Sequence, residues 1–329
     1  MKLIIIFFCF ITIYFTNIGV RAETNVLNKP ILKIGLIVPL SGEFKNIGIS
    51  ILNSLRIGLN KVGNRKIEIF PKDNEANPEK TLQAAKELEQ QGISVVIGPV
   101  FYENLSYLDE LESLVFLSLT NKIKKLPRNV ISVGINADSQ FNSIISFLKK
   151  EKLSKTIVLI PRSSNEDEIK FSLGKKKHNF SQIYSYDIDP EKLTKKIEQI
   201  TRYAERKEDL RRRIKILENS DLESDKKKLI KLKKKDTIGE VSFDSIIIAD
   251  FDENLKSITT SFLYSDVDPK KIKFITLNQW FDETLFKENS TKHIYFPSIN
   301  KKNYMKFRET YFINFKKYPS EIAVISYDV

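Results

Sequence analysis

The chain has one cysteine in 329 residues, and that residue, Cys9, lies inside an apolar run near the amino terminus. If the run is removed as an export signal, no thiol remains. Disulfides, thiol catalysis and cysteine-ligated metals are then excluded together. Glycine is also scarce, at 11 residues, and no Gly-x-Gly-x-x-Gly, Gly-x4-Gly-Lys or Gly-x-Ser-x-Gly pattern occurs. That excludes a glycine-rich phosphate cradle and a serine-hydrolase elbow. The two histidines, His178 and His293, stand in unrelated neighbourhoods without partners at metal-ligand spacing. Carboxylates cluster at Asp250, Asp252 and Glu253, and again at Asp282 and Glu283, but 29% of the chain is charged. In such a chain, acid pairs on loops read as solvated caps before they read as acid/base pairs. No catalytic residue, metal or cofactor is expected, and the chain reads as a binder.

The amino terminus sets the compartment. Lys2 precedes an apolar run from Leu3 to Phe15, and Val20 and Ala22 have signal-peptidase spacing. The run, about 13 residues, is shorter than the roughly 20 that span a bilayer. Residues 1–22 are therefore expected to be a signal peptide and Glu23 the mature start, with an uncleaved anchor as the rival. Phe7 and Phe8 before Cys9 rule out a lipobox, so the expected location is the periplasm.

Net charge is +12, yet lysine, isoleucine and asparagine dominate as AT-rich coding alone would produce, and no nucleic acid is expected. Between Glu191 and Asp236 there are 17 Lys and Arg against 10 Asp and Glu. The excess charge is concentrated there.

Roughly 300 residues can bury a core, more naturally as two domains than one. Lys33-Ile34-Gly35-Leu36-Ile37-Val38-Pro39 is a continuous β-branched run, the mark of a strand buried on both faces of a parallel sheet. Helix is expected over 44–62 and 78–91, and strand over 67–70 and 94–98. A helical stretch over 105–111 and a strand over 114–118 complete the first α/β series. A second series begins near Asn129, with strands at 130–133, 156–160, 181–186, 243–249 and 272–275, and helices at 139–151, 166–177 and 255–264. Such alternation implies βαβ units with helices on both sheet faces. The rhythm breaks at 191–239. Leu193, Ile197, Ile200, Ala204, Leu210, Ile214 and Leu217 suggest one long helix, and Ser220–Glu223 has capping-box spacing ahead of a second. A basic helical hairpin is expected, either a solvated protrusion or an arm for an acidic partner or a membrane surface.

Several segments, in order, resemble the leucine/isoleucine/valine-binding-protein group of type I periplasmic binding proteins. They are Ile37-Val38-Pro39-Leu40-Ser41-Gly42, Lys72-Asp73-Asn74 through Asn77-Pro78-Glu79, Gly92-Ile93-Ser94-Val95-Val96-Ile97-Gly98-Pro99, Tyr318-Pro319 and Tyr327-Asp328. A narrower branch, the bacterial penicillin-binding-protein activators, is similar at Phe116-Leu117-Ser118-Leu119-Thr120-Asn121, at Phe243-Asp244-Ser245-Ile246-Ile247 and at Tyr264-Ser265-Asp266-Val267-Asp268-Pro269 before Trp280-Phe281-Asp282.

The resemblance implies a two-lobed fold, each lobe a parallel sheet with helices on both faces, plus the inserted basic hairpin. Lobe 1 would comprise 32–134 and 297–329, and lobe 2 135–296 with the insertion at 191–239. It implies a regulator of cell-wall synthesis acting by contacts with an envelope protein such as a synthase. The alternative is a receptor of an ABC transporter, partnered by a permease, for amino acids or similar small polar ligands. Weak membrane contact through 191–239 is a further expectation.

Ligands of open α/β sheets sit outside the carboxyl ends of the strands. The expected cleft residues are Ser41, Gly42, Tyr102, Ser118, Thr120 and Asn121, with Asp250 and Asp282 by position. By resemblance, Ser118 and Thr120 would hold a carboxylate, with Tyr102 near a serine of the same role. The sequence departs from the amino-acid binders in Leu119, which replaces a proline, and in Pro161–Asn165, which stands where a Tyr-Gly pair is expected. The group also continues past the segment matching Tyr327-Asp328, so the resemblance suggests a fragment.

Overall fold

A computed structural model describes residues 31–62, 66–163, 165–279 and 285–328. The expected signal over 1–22, with Cys9, lies outside the described residues, as does Asp282. No described helix is long and apolar enough to cross a membrane.

Two five-stranded sheets carry the fold, and every strand pairing in them is parallel. The first has the order β2-β1-β3-β4-β5, from β1 (Leu32–Val38), β2 (Ile67–Asp73), β3 (Val95–Ile97), β4 (Val115–Ser118) and β5 (Val130–Ser132). The second has the order β10-β9-β8-β6-β7, from β6 (Thr156–Pro161), β7 (Gln182–Tyr186), β8 (Ser245–Ile248), β9 (Lys273–Thr276) and β10 (Ile294–Tyr295). Central β6 and β8 are buried at every residue, which explains their unbroken apolar runs. Thr156 and Ser245 would be costly there if unpaired, but their hydroxyls bond each other across the two strands at 2.8 Å.

Side-chain alternation divides each core into two layers. In the first sheet Ile37 and Val96 pack with Leu88 of α2 (Pro78–Gln90), while Leu36 and Val38 pack with Ile51 and Leu55 of α1 (Lys45–Val62). In the second, Val158, Ile160 and Ile247 meet Phe141 and Ile144 of α3 (Ala137–Lys150) and Ile169 of α4 (Glu166–Gly174). On its other face Leu159, Ile246 and Phe274 meet Leu193 and Ile197 of α5 (Pro190–Thr201). Each such fully buried aliphatic or phenyl side chain contributes about 1.5–3 kcal/mol. The two-lobed α/β architecture read from the sequence is the one observed.

The insertion differs in detail. The long helix breaks at Arg202, which is left-handed at φ 52°, separating α5 from α6 (Tyr203–Glu218). Thr201 and Tyr203 are both buried, yet in one straight helix they would point to nearly opposite sides. The break lets α5 cover the sheet while α6 leaves it in a new register of Tyr203, Arg206, Leu210 and Leu217. The next helix, α7 (Glu223–Leu232), begins after Leu222, and the Ser220 hydroxyl bonds the Asp225 carboxylate at 2.8 Å instead of capping it. The expected helix at 105–111 is two short 3-10 turns, Tyr102–Leu105 and Leu108–Glu110, separated by left-handed Tyr107. After α8 (Asp252–Tyr264), β9 and β10, the chain returns through α9 (Lys301–Phe315) and α10 (Ala323–Asp328) to pack on α1. There Asn53 donates to the Tyr311 hydroxyl at 3.1 Å.

Candidate functional site

The carboxyl ends of strands from both sheets open on one cleft of about 520 Å³. The first sheet contributes Val100–Glu103 beyond β3 and Leu119–Lys122 beyond β4. The second contributes Gln140 of α3, Phe251 beyond β8 and Asn278 beyond β9, and the returning segment closes one side with Ser320–Ile322. Hollows of about 810 Å³ between α1 and α9 and about 740 Å³ at the base of the insertion are larger. Neither joins strand ends of the two sheets, so the smaller cleft is the candidate.

Two glycines make this geometry possible. Gly98 has φ +102°, and a Cβ there would lie 2.1 Å from the Ile37 carbonyl oxygen. The chain can therefore leave β3 tightly and present the Pro99 carbonyl, which accepts the Ser118 hydroxyl at 2.8 Å. At Gly134, where the chain leaves the first sheet, a Cβ would lie 2.3 Å from the Thr120 carbonyl oxygen.

Of the residues expected from sequence, Tyr102, Thr120 and Asn121 line the cleft. Thr120 lies nearly buried at its floor. Its Oγ1 accepts the Lys122 N–H at 3.2 Å, which leaves its own O–H to donate to a ligand. Tyr102 points its hydroxyl towards the Lys124 and Lys125 carbonyls, at 3.4 and 3.3 Å, and so braces the loop after β4.

The others are engaged elsewhere. Ser118 is fully buried, its hydroxyl donating to the Pro99 carbonyl. Ser41 serves Asp73: burial raises that carboxyl, but the Ser41 hydroxyl and the Glu75 and Leu40 N–H groups outweigh it and hold the group below its usual range. Gly42 sits in the same turn, at φ +71°. Asp250 is buried and accepts the Tyr186 hydroxyl and the Phe251 N–H, the latter at 2.8 Å. Burial and then Asp250 push the Tyr186 hydroxyl far above its ordinary value, so the two form a sealed pair behind the cleft wall.

Gln140, Phe251, Asn278 and Glu321 were not anticipated. Phe251 and Asn278 follow the same strand-end rule applied to β8 and β9. Gln140 accepts the Asn278 N–H at 2.7 Å, a pairing between distant segments that no local pattern announces. The loop after β4 also bridges to α4. Ile123 N–H donates to Glu168 at 2.7 Å, Lys122 bonds Asn165, and Lys124 lies 3.8 Å from Asp167. Among the described residues no group of three or more His, Cys, Asp or Glu could hold a metal ion.

Residues 31–166 match a family model described as periplasmic binding protein. No curated protein matches the sequence. A Rhodospirillum rubrum protein named for a branched-chain amino acid ABC transporter is similar in structure with TM-score 0.63 and 11% identity, over 90% of this chain and 81% of that one. A branched-chain amino acid ABC transporter periplasmic ligand-binding protein from Burkholderia xenovorans gives 0.56 and 8%, over 90% and 75%. An ABC transporter substrate-binding protein from Desulfitobacterium hafniense gives 0.54 and 14%, over 90% and 81%. At these identities the likeness speaks for architecture, and the architecture is the two-lobed type I periplasmic-binding-protein fold.

Proposed function

We propose that this chain is an exported, non-enzymatic solute receptor that grips a small polar ligand between its lobes and presents it to a transporter permease. The observation that carries this reading is the cleft itself. Its volume of about 520 Å³ suits a small molecule, and it draws polar and aromatic groups from both sheets. Thr120 would donate to a carboxylate, Phe101 and Phe251 would flank an apolar body, and Glu103 or Glu321 would face an ammonium group. The names of the structurally similar proteins point to amino acids. A Rhodopseudomonas palustris solute binding protein, with TM-score 0.50, is in complex with 4-hydroxybenzoate, so aromatic acids belong in the same test. In this reading residues 1–22 are removed on export, 32–134 with 297–329 form the first lobe, and 135–296 the second.

Calorimetry with panels of amino acids and aromatic acids tests it. The expected result is saturable binding of one class, weakened about tenfold or more in Thr120→Val, equivalent to one lost charge-assisted hydrogen bond. Silence across both panels would sink the receptor. A second reading, a regulator of cell-wall synthesis acting through protein contacts, rests on the helical insertion. It predicts a synthase recovered by the full chain and lost without residues 203–238.

A further inference from the structure

We infer that α7 and the turn after it form a docking face for an anionic lipid bilayer, separate from the ligand cleft. Between Lys226 and Lys235 seven of ten residues are lysine and none is acidic. The fold divides these lysines into two groups. Lys226, Lys228 and Lys233 pair with Glu223, Asp225 and Glu218 at 2.7–2.9 Å, which ties α7 down upon itself and α6. Lys227, Lys231, Lys234 and Lys235 are exposed and have no carboxylate partner among the described residues. Lys227, Ile230 and Lys231 share one helical face at three- and four-residue steps. Glu223, one turn earlier on that face, is already paired with Lys226.

That face is apolar as well as basic. Ile230, on that face between Lys227 and Lys231, is 60% exposed, and the insertion exposes two further aliphatics, Leu222 before α7 at 64% and Ile216 near the end of α6 at 61%. No residue of α7 is fully buried. An isolated aliphatic side chain between unpaired lysines, as Ile230 is, fits a lipid interface, where the aliphatic enters the acyl boundary and the lysine stems lie along it. A purely acidic partner would use the charges and leave Ile230 unanswered.

The arm is also held at a fixed attitude. The Arg206 guanidinium is buried and donates to the Ser265 carbonyl at 3.2 Å, the Asp266 carbonyl at 3.1 Å and Thr237 Oγ1 at 2.7 Å. Its own carbonyl accepts the Ile238 N–H at 3.3 Å. One residue thus pins both strands of the insertion to the second lobe, so the basic face is presented in a single orientation.

Sedimentation of the full chain with vesicles tests the inference, comparing phosphatidylcholine alone with phosphatidylcholine mixed with phosphatidylglycerol. Binding is expected only to the anionic vesicles and is expected to fall steeply with salt. Each lysine near such a surface is worth about fivefold in affinity, so Lys227→Glu with Lys231→Glu should cost at least about 25-fold. Ile230→Ser should cost a smaller factor that salt does not change. Circular dichroism and cleft-ligand binding should be unaltered in both variants, since none of these side chains belongs to a buried core. The inference is overturned if the anionic vesicles are not bound or if the double variant binds them like the parent. It is also overturned if soluble polyglutamate binds as tightly as the vesicles, which would mark an acidic protein as the partner.

Discussion

The backbone N–H of Ile123 donates to the Glu168 carboxylate at 2.7 Å, joining the loop after β4 of the first sheet to the first turn of α4 beside the second. Glu168 is only 8% exposed, so this charge-assisted bond is shielded from water, and Lys122 of the same loop lines the cleft. The contact therefore couples the separation of the lobes to the site. Glu168→Ala should loosen it by about 2 kcal/mol, the scale of a hydrogen bond to a charged group. X-ray scattering should then show a larger radius of gyration without ligand, and ligand affinity should fall. Unchanged scattering and unchanged affinity would show that the contact does not govern closure.

The Tyr186–Asp250 pair gives a pH dependence whose sign can be worked out. Tyr186 ordinarily titrates at 10.0, and burial followed by Asp250 raises it. Above pH 10 the unfolded chain releases this proton while the folded chain keeps it. The stabilisation is complete below that pH and is lost as pH rises further, by about 1.4 kcal/mol per unit for one group. Urea melts from pH 9 to 11 should therefore slope downward, and Tyr186→Phe should remove about one proton from the slope. Tyr184 and Tyr304 are also raised by burial, so some slope should remain. An identical slope in the variant would refute the assignment.

Gly98 offers a test of how the cleft is shaped. Its φ of +102° and the 2.1 Å approach of a Cβ to the Ile37 carbonyl leave no room for a side chain. Gly98→Ala should lower stability by at least about 2 kcal/mol, from backbone strain with forced displacement. It should also shift Pro99 and so release Ser118 from its carbonyl. Chemical denaturation gives the first effect and ligand titration the second. An alanine accepted with under about 0.5 kcal/mol of loss would show that the turn is not constrained as described.

The central strands were legible because double-sided burial writes itself as unbroken apolar runs such as Ile157–Ile160 and Ile246–Ile248, whereas the two-residue edge strand β10 was not anticipated. The helix start expected at residue 78 was legible because its chemistry is local, with Pro78 in the first turn, and the structure adds the Asn77 side chain accepting the Lys80 N–H at 3.0 Å. The break at Arg202 was not, because Leu193, Ile197, Ile200 and Ala204 keep one helical spacing straight through it, and only the tertiary demand to bury Tyr203 redirects the chain. The α9 helix was passed over although Tyr304, Phe307 and Tyr311 form its buried stripe, since lysines and exposed Phe312 and Ile313 blur the pattern. At the site, a strand end can be located from sequence, but which hydroxyl stays free for the cleft depends on partners brought from other strands, as the Pro99 carbonyl is to Ser118. Ser118 and Thr120 were read as a pair, and Ser118 bonds inward to Pro99 while Thr120 remains at the floor.

The anchor of the insertion yields the last prediction. Burial pulls the Arg206 guanidinium down, with Asp266 and Tyr203 opposing, but an arginine remains charged and so depends on its hydrogen bonds to Thr201, Ser265, Asp266 and Thr237. Asp266 is partly exposed and 3.9 Å away, so the carbonyls and Thr237 matter more than the ion pair. Arg206→Ala removes these bonds and leaves the Ser265 and Asp266 carbonyls facing a void, at a cost of about 2 kcal/mol or more. Because α6 and α7 lie outside both sheet cores, the loss should remain local. Hydrogen exchange should accelerate across residues 203–238 while β6 and β8 keep their protection. Arg206→Lys should behave nearly like alanine, since one ammonium group cannot reach partners on three sides. If exchange rises uniformly through the second lobe instead, the insertion is part of that lobe's cooperative core and not an arm held on by one residue.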